Sequence, residues 1–299
     1  MKVILTTDGS KASENAIKLF CQLPIHDQQK YPVVTVSNQF AYGMITRELH
    51  DEPVRLKQIE SGENFQRAAK IVNGCGLEAV HVAFTGQAAD QITRCAEESD
   101  ANLVVMSARG SNRLARALLG STSESIAIHA HCSVLVVRGT DQPPSPTSRS
   151  IHATLASDGS ESASETASQL RELGLPLNTK LSLITIIEYP TLLDPRMQYD
   201  QQLTELSKSK LDNLSEQFRS ALPLVETKIL EKVHVGEALV HFLADSQTDI
   251  VVVRDKGRSA ISHFFLGSVS GFVLRHAQCS VVVLRKRKEM RTAGRTDAR

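Results

Sequence analysis

The sequence predicts an α/β protein of two tandem domains, each an open parallel sheet of flavodoxin-like or Rossmann-like type with helices on both faces. Three observations support this. The chain has 299 residues, which corresponds to about two domains of roughly 150 residues each. Segments of the first half recur, in the same order, in the second half. Within each half, short apolar runs alternate with segments of helical periodicity, an order typical of parallel strands joined by right-handed crossovers.

Four matches define the internal repeat. Leu-Thr-Thr-Asp-Gly-Ser at 5–10 recurs as Leu-Ala-Ser-Asp-Gly-Ser at 155–160, and Gly-Gln-Ala at 86–88 recurs as Gly-Glu-Ala at 236–238, both 150 residues later. Leu-Gly-Ser-Thr-Ser at 119–123 and the segment 132–138 recur 147 residues later. We therefore place a slip of three residues in the helix-to-strand turn at 245–249. The expected organisation is domain 1 at 1–138, a Pro-rich linker at 139–150, domain 2 at 151–285 and a basic tail at 286–299.

Periodicity and turn residues assign the elements of the first half. Strands are expected at 3–7, 31–36, 78–84, 103–106 and 134–137, and helices after Ser10 and at 49–72, 88–98 and 121–129. The second half repeats this order. Open sheets of this kind bind ligands at the carboxyl ends of strands, at the point where the strand order reverses.

Composition excludes several classes of function. The chain is 41% hydrophobic and 22% charged, which is ordinary for a globular protein. A net charge of +1 and the absence of Trp give no electrostatic or stacking argument for nucleic acid. The five cysteines form no CxxC pair, unlike a secreted disulfide framework. No apolar run reaches membrane-spanning length. We expect a cytoplasmic protein with no membrane or nucleic-acid partner.

The loop after the fourth strand has residues suited to phosphate binding. Gly110 is followed, nine residues later, by Gly120 and the hydroxyl residues Ser121 and Ser123 at the start of a helix. Glycine lets the backbone approach an anion closely, and the first N–H groups of a helix favour phosphate. Asp8 ends the first strand and would face the same crevice if the first and fourth strands are neighbours. Each residue alone is explained as a turn residue, but their repetition in both halves favours a nucleotide site.

This arrangement resembles the universal stress protein family. The motif begins with a strand that ends in Asp. It continues with a loop that ends in glycine, a spacer of nine residues and Gly-Ser, and the second half keeps the nine-residue spacer between Gly257 and Gly267. The resemblance implies a flavodoxin-like fold that binds ATP or another adenine nucleotide, with Mg²⁺ as a candidate companion ion, and no established chemical turnover. It also implies pairing through the fifth strand. The strand from Val134 to Val137 would then pair with the strand from Val281 to Leu284 inside one chain, and a homodimer is a further candidate assembly.

The resemblance assigns nucleotide-binding positions to both halves. In the first half, Thr6 and Asp8 would contact adenine and ribose, and Val36 would back the base. The phosphates would be held by Met106, Ser107, Arg109, Gly110, Gly120, Ser121, Thr122 and Ser123. The matching positions of the second half are Ala156, Asp158, Ile186, Val253, Arg254, Lys256, Gly257, Gly267, Ser268, Val269 and Ser270.

The first glycine of the family motif is replaced in both halves. Ser107 stands there in the first half and Arg254 in the second. Serine is small, whereas the long arginine side chain would either fill the phosphate pocket or add a charge to it. We therefore expect domain 1 to bind nucleotide better than domain 2.

Rival signals are weaker. The chain has no Gly-x-x-x-x-Gly-Lys-Ser/Thr and no Gly-x-Gly-x-x-Gly after the first strand, which argues against a P-loop ATPase and a dinucleotide dehydrogenase. His129, His131 and Cys132 could suggest a metal cluster, but a helix end turning into a strand explains them better, so no metal site is expected. No catalytic residue is assigned. Three functions remain: a nucleotide-binding stress or signalling module, which we favour, a weak ATPase or nucleotidyl-transfer enzyme, and a ligand-free scaffold with degenerate sites.

Overall fold

The computed structural model of the chain describes residues 1–25, 27–37, 51–110, 119–139, 150–158, 163–188, 199–255 and 266–286. Most of the expected linker, nearly all of the basic tail, and the loop residues Lys256 and Gly257 lie outside the described residues.

The described chain forms ten strands and eight helices in alternating order. Repeat 1 consists of β1 (Val3–Thr6), α1 (Lys11–Gln22), β2 (Lys30–Ser37), α2 (Asp51–Gly74), β3 (Glu78–Thr85), α3 (Ala88–Glu98), β4 (Leu103–Ser107), α4 (Ser121–His129) and β5 (Ser133–Val137). Repeat 2 consists of β6 (His152–Ala156), α5 (Ala163–Glu172), β7 (Lys180–Glu188), α6 (Tyr199–Arg219), β8 (Leu224–Lys232), α7 (Val235–Asp245), β9 (Ile250–Arg254), α8 (Ser268–His276) and β10 (Ser280–Leu284).

Local sequence explains where several helices begin and end. Ser10 is the N-cap of α1, and its side chain accepts a hydrogen bond from the Ser13 N–H, as an N-cap serine is expected to do. Helix α2 ends at Gly74, and Gly76 then adopts a φ of +80°, which only glycine adopts without strain. The α3 and α4 bounds agree with the sequence-based expectation.

All ten strands form one continuous sheet in the order β3-β2-β1-β4-β5-β10-β9-β6-β7-β8. Strands are parallel within each repeat, and β5 and β10 pair antiparallel at the junction, with Val134 opposite Val283 and Val136 opposite Val281. The expected pairing of the fifth strands is therefore present inside one chain. The strand order reverses between β1 and β4 in repeat 1, and between β6 and β9 in repeat 2.

Two apolar layers cover the faces of this sheet, and each layer runs through both repeats. One contains side chains of α1, α2, α5 and α6, among them Phe20 and Phe218. The other contains side chains of α3, α4, α7 and α8, among them Ile126 and Leu239. Helices on both faces are the arrangement expected for a doubly wound sheet.

The position expected for the slip between the repeats is wrong. Lys30 of β2 lies opposite Glu78, whereas the equivalent Lys180 of β7 lies opposite Leu224, so the second repeat has already lost four residues between β7 and β8. Helices α3 and α7 have equal length and start 147 residues apart. The second repeat is therefore three residues shorter at that point, so one of the four lost residues has been regained before α7. Gly86 has a φ of +133° before α3, but Gly236 is the second residue of α7. The Gly-x-Ala match is therefore a coincidence of sequence.

At the β5–β10 junction, an arginine of each repeat donates hydrogen bonds to a helix of the other repeat. Each arginine follows the last strand of its own repeat and donates to the final carbonyl groups of a helix in the other repeat, which lack helical partners. The contacts are Arg285 Nη2 to Ala127 O (2.6 Å) and Ile128 O (3.0 Å), and Arg138 Nη2 to Leu274 O (2.6 Å) and Arg275 O (3.2 Å). Arg285 also has Asp255 Oδ2 at 3.9 Å from its Nε. The junction is thus held by charged caps as well as by the strand ladder.

Candidate functional site

The turn after β1 presents a carboxylate at the reversal point of repeat 1. Ser10 donates to Asp8 Oδ1 through its N–H at 3.1 Å and its hydroxyl at 2.6 Å. Gly9 between them has a φ of +76°, which explains the Asp-Gly-Ser sequence. Asp8 therefore does serve as a turn residue, but it uses one carboxylate oxygen to do so. The residue is exposed to solvent.

The second oxygen of Asp8 faces the loop after β4. A Cβ placed on Gly110 would lie 2.7 Å from Asp8 Oδ2, so the carboxylate and the Gly110 backbone are neighbours. Their contact follows from the parallel pairing of β1 with β4, which brings the carboxyl ends of the two strands together. The structure thus joins the two residues that the sequence places in one crevice.

The start of α4 lies directly behind this turn. The N–H of Gly120 donates to Ala108 O at 2.8 Å, and the N–H of Glu124 closes the first helical turn on Gly120 O at 2.9 Å. Gly120 is the N-cap and has no side chain to satisfy the N–H groups that follow it, in contrast to Ser10 at α1. The N–H groups of the first turn therefore remain available to an anion. Ser121 is exposed and Thr122 half-buried.

Several predicted site residues lie close by but have buried side chains. Ser123 is 2% exposed, and its hydroxyl donates to Ala108 O at 2.7 Å. The hydroxyl of Thr6 donates to Val105 O at 3.2 Å, and that of Ser107 to Arg109 O at 2.5 Å. Met106 belongs to the apolar layer beneath α4. The side chains of these residues shape the loop, and only their backbone groups are left for a phosphate.

Val36 of β2 is half-buried and packs on the α3–α4 side of the sheet, in the same apolar layer as Met106. Its repeat-2 counterpart Ile186 occupies the same layer, together with Ala156 and Val253. The residues expected to back the base therefore share one face of the sheet in each repeat.

In repeat 2 the loop after β9 keeps the backbone pattern. The N–H of Asp255 donates to Leu284 O at 3.0 Å, and the N–H of Gly267 donates to Asp255 O at 2.7 Å, as Ala108 and Gly120 do in repeat 1. The Ser270 hydroxyl donates to Arg254 O. Asp158 and Ser268 are exposed, and Val269 is half-buried.

The structure places the side chain of Arg254 against α5. Its guanidinium donates to Thr166 Oγ1 at 3.2 Å and lies 3.3 Å from Glu165 Oε2, both on α5. Lys286 Nζ lies 3.3 Å from the other oxygen of Glu165. The residues alternate across β9, so Arg254 points to the face opposite the one that carries Val253. The side chain is held by α5. A second charge difference at this loop is the half-buried carboxylate of Asp255, at the position of Ala108.

The histidines that could suggest a metal cluster contact other groups in the structure. His129 Nδ1 lies 2.8 Å from Ser125 O, and His131 Nε2 lies 3.6 Å from Glu97 Oε1. Burial raises the pKa of the Cys132 thiol to about 11, which keeps it protonated at neutral pH. Within the part of the chain that the structure describes, no group of three or more His, Cys, Asp and Glu side chains is placed to hold a metal ion.

Two α2 residues that support the Asp8 turn were missed by sequence reasoning. Arg67 Nη2 donates to Gly9 O at 3.4 Å and to Asn64 Oδ1 at 2.5 Å. A Cβ on Gly9 would lie 2.0 Å from Asn64 Oδ1. These residues are more than fifty positions from the turn, and no local pattern signals the contact.

A separate cavity of about 420 Å³ lies at the junction of the repeats. It is lined by residues from the amino ends of repeat-1 strands, such as Asn102 and Ser133, and by Gln169, Arg285 and Lys286 of repeat 2. It contains none of the predicted nucleotide-binding residues.

The fold and the loop at the reversal point define a tandem, doubly wound α/β protein. The model of the universal stress protein family matches residues 1–138 and 152–285. The chain therefore belongs to the universal stress protein family, as the sequence motif suggested.

Individual relatives agree with this assignment. The chain is 30% identical over 138 residues to "Universal stress protein MJ0531" of Methanocaldococcus jannaschii, covering 46% of this chain and 81% of the relative. It is 27% identical over 230 residues to "Universal stress protein MT2698" of Mycobacterium tuberculosis, covering 73% and 74%. A crystal structure of a universal stress protein from Archaeoglobus fulgidus superposes with a TM-score of 0.65 at 18% identity, covering 96% of this chain and 97% of that one. The last likeness concerns the fold alone.

No helix among the described residues combines the length and the apolarity needed to cross a bilayer.

Proposed function

We propose that repeat 1 binds an adenine nucleotide, ATP foremost, and that this binding is the basis of a stress-response or signalling role. The observation that carries the proposal is the contact between Asp8 Oδ2 and Gly110 in front of the open first turn of α4. A carboxylate accepts hydrogen bonds from ribose hydroxyls or a base amine, whereas the N–H groups of α4 suit phosphate. The two ends of one nucleotide would therefore find complementary groups at this edge.

The second repeat is proposed to bind more weakly. Where repeat 1 has Ala108 at the start of the loop, repeat 2 has Asp255, whose side chain is 16% exposed. A partly buried carboxylate repels phosphate groups nearby, and Arg285, 3.9 Å away, offsets this only in part because its guanidinium also caps α4. The binding difference between the repeats thus follows from Asp255 rather than from Arg254.

We infer binding without efficient hydrolysis. A hydrolase needs a general base within hydrogen-bond reach of the attacking water. The loop sequence between Gly110 and Gly120 contains Arg113 and Arg116 but no carboxylate. Glu124, in the first turn of α4, lies 2.7 Å from Arg275 of repeat 2. Among the described residues, Asp8 is the carboxylate beside Gly110, and Ser10 holds one of its oxygens.

The test uses the full chain and a matched pair of variants. Protein freed of bound nucleotide is titrated with ATP by calorimetry, as wild type, Gly120→Val and Gly267→Val. A Cβ on Gly120 already meets Ala108 O and Ser123 Oγ at 3.2 Å, so valine displaces the start of α4. We expect Gly120→Val to weaken ATP binding at least tenfold and Gly267→Val to leave the tight site unchanged. Equal losses in the two variants, with unchanged circular dichroism, would contradict the assignment.

Two simple measurements separate the alternatives. An adenine-like absorption spectrum of material released on denaturing the purified protein supports occupancy, and failure of the protein to bind any adenine nucleotide favours the ligand-free scaffold. Steady release of phosphate from ATP that Gly120→Val abolishes would favour the weak ATPase.

A further inference from the structure

An ion pair joins the first turn of α4 to the last turn of α8. Arg275 Nε lies 2.7 Å from Glu124 Oε1, and the two residues are 151 positions apart in sequence. The Glu124 side chain is 34% exposed and that of Arg275 is 53% exposed. The pair therefore connects the two repeats, and its carboxylate belongs to the helical turn whose N–H groups we propose for phosphate binding.

The antiparallel pairing of β5 with β10 brings these two helix ends together. Crossover helices run antiparallel to the strands that they connect, so α4 and α8, which precede β5 and β10, run in opposite directions. Arg138, the residue after β5, donates to Leu274 O at 2.6 Å and to Arg275 O at 3.2 Å. At the same strand end, the N–H of Ala108 donates to Val137 O at 2.8 Å. The last turn of α8 is therefore held beside the loop that follows β4.

The sequence does not repeat this ion pair at the other end of the junction. Helices α4 and α8 start 147 residues apart, so Gly271 is the equivalent of Glu124 and Ile128 is the equivalent of Arg275. A Cβ placed on Gly271 would lie 3.8 Å from Arg275 Nη1 and 4.0 Å from Nη2. The arginine side chain therefore lies back along α8, over the glycine, and reaches α4 from there. The pair concerns the site of repeat 1 and has no equivalent at the site of repeat 2.

A carboxylate in the first turn of a helix opposes the binding of phosphate at that turn. It interacts favourably with the same dipole and N–H groups that favour an anionic ligand, and its charge repels the ligand. Helical side chains lean toward the N-terminus of their helix, so Glu124 leans toward the end that would hold the phosphates. The guanidinium of Arg275 supplies the opposite charge, and its hydrogen bond draws the carboxylate toward α8.

We propose that Arg275 is a positioning residue for nucleotide binding, supplied by repeat 2 to the site of repeat 1, and that it acts by neutralising and orienting Glu124. The inference rests on the proposed nucleotide site of repeat 1. Repulsion by a carboxylate without its partner grows with the number of charges on the ligand. The binding of ATP should therefore depend on Arg275 more strongly than the binding of AMP, and the arginine favours the triphosphate over the monophosphate.

The experiment titrates the full chain, freed of bound nucleotide, with ATP and with AMP by calorimetry at low ionic strength, where exposed charges are screened least. Arg275→Met should weaken ATP binding about fivefold or more and AMP binding less than about twofold. Glu124→Gln placed on Arg275→Met should restore the affinity for ATP to within about twofold of wild type. Arg219→Met is the matched control, because it removes an exposed arginine that pairs with Glu216 inside α6, and it should change neither affinity.

Three results would overturn the inference. One is wild-type affinity for ATP in Arg275→Met, and another is a loss of equal size for ATP and AMP. The third is a loss that Glu124→Gln does not recover, since Arg275 would then contact the nucleotide itself or serve the junction alone. Failure of the wild type to bind ATP would instead refute the proposed function, and the inference with it, so the two failures are distinguishable. The fold should stay intact by circular dichroism, because the pair is exposed and the substitution keeps the backbone carbonyl that Arg138 contacts.

Discussion

The exchanged arginines at the β5–β10 junction provide a matched pair of perturbations. Arg285→Met and Arg138→Met each remove a guanidinium that donates to the last carbonyl groups of a helix in the other repeat. Methionine keeps an apolar stem of similar length, so the change is confined to the donors and the charge. The surroundings of the two arginines differ among the described residues. Arg285 also donates through Nη1 to Cys132 O at 3.3 Å and has the carboxylate of Asp255 beside it, and its bonds to the helix end are more buried than those of Arg138.

The magnitudes follow from the groups left behind. Each variant strips a charged donor from two helix-end carbonyls, and Arg285→Met strips one from Cys132 O as well. Leaving a buried acceptor without its partner costs about 1–3 kcal/mol. Partial access of water lowers the sum for two carbonyls to about 2–4 kcal/mol. Arg285→Met also leaves Asp255 without its neighbour. At 3.9 Å and 16% exposure that loss is smaller than the roughly 3–5 kcal/mol of a fully buried pair, and we assign it about 1 kcal/mol.

The assay is equilibrium urea unfolding of the full chain at neutral pH. Arg285→Met should lower the free energy of unfolding by about 2–4 kcal/mol more than Arg138→Met, because it also leaves Cys132 O without a donor. Asp255→Asn placed on Arg285→Met should recover the part that comes from the carboxylate, about 1 kcal/mol. A larger cost for Arg138→Met would refute the reasoning. Costs below about 0.5 kcal/mol, the range of ordinary surface substitutions, would show that neither arginine caps its helix.

Three further predictions concern repeat 1. Gly110→Ala places a methyl group 2.7 Å from the carboxylate of Asp8 and should weaken ATP binding about threefold to tenfold in calorimetry, with little change in melting temperature. Gly9 has a φ of +76° and lies against an α2 side chain, so Gly9→Ala should lower the free energy of unfolding by about 1–3 kcal/mol. Gly62 lies in α2 with open space around it, so Gly62→Ala should raise the free energy of unfolding by up to about 1 kcal/mol. Urea unfolding should therefore show changes of opposite sign for the two variants. Burial lowers the pKa of His81, so the unfolded chain binds the proton more readily than the folded one. The free energy of unfolding should therefore fall as pH drops below about 6.5. His81→Gln should reduce this dependence on pH, and an unchanged dependence would exclude His81 as its source.

Regular elements were predictable because each depends on neighbours in sequence. The apolar run at 103–106 and the spacing of apolar residues in 88–98 are local signals, and the structure places β4 and α3 there. The pairing of β5 with β10 was also foreseen, from the family resemblance and the two Val-rich strands. The proximity of Asp8 and Gly110 was expected on the condition that the first and fourth strands are neighbours, and the pairing of β1 with β4 meets that condition.

Features that depend on distant side chains could not be predicted. The positions of Arg254 on α5, of Arg67 beneath Gly9 and of the crossed arginine caps are set by packing between elements far apart in sequence. The misplaced slip has a different cause. The Gly-x-Ala match aligns residues that are not equivalent, because Gly86 has a φ of +133° before α3 whereas Gly236 lies inside α7.

The central claim is that the Asp8 carboxylate and the start of α4 together form the nucleotide site of this chain. The most direct measurement is calorimetric titration of the full chain with ATP for wild type, Asp8→Ala and Asp158→Ala, the last being the equivalent substitution in repeat 2. The account predicts at least a tenfold loss of affinity for Asp8→Ala and less than a twofold change at the tight site for Asp158→Ala. Wild-type affinity in Asp8→Ala, with the fold intact by circular dichroism, would contradict it.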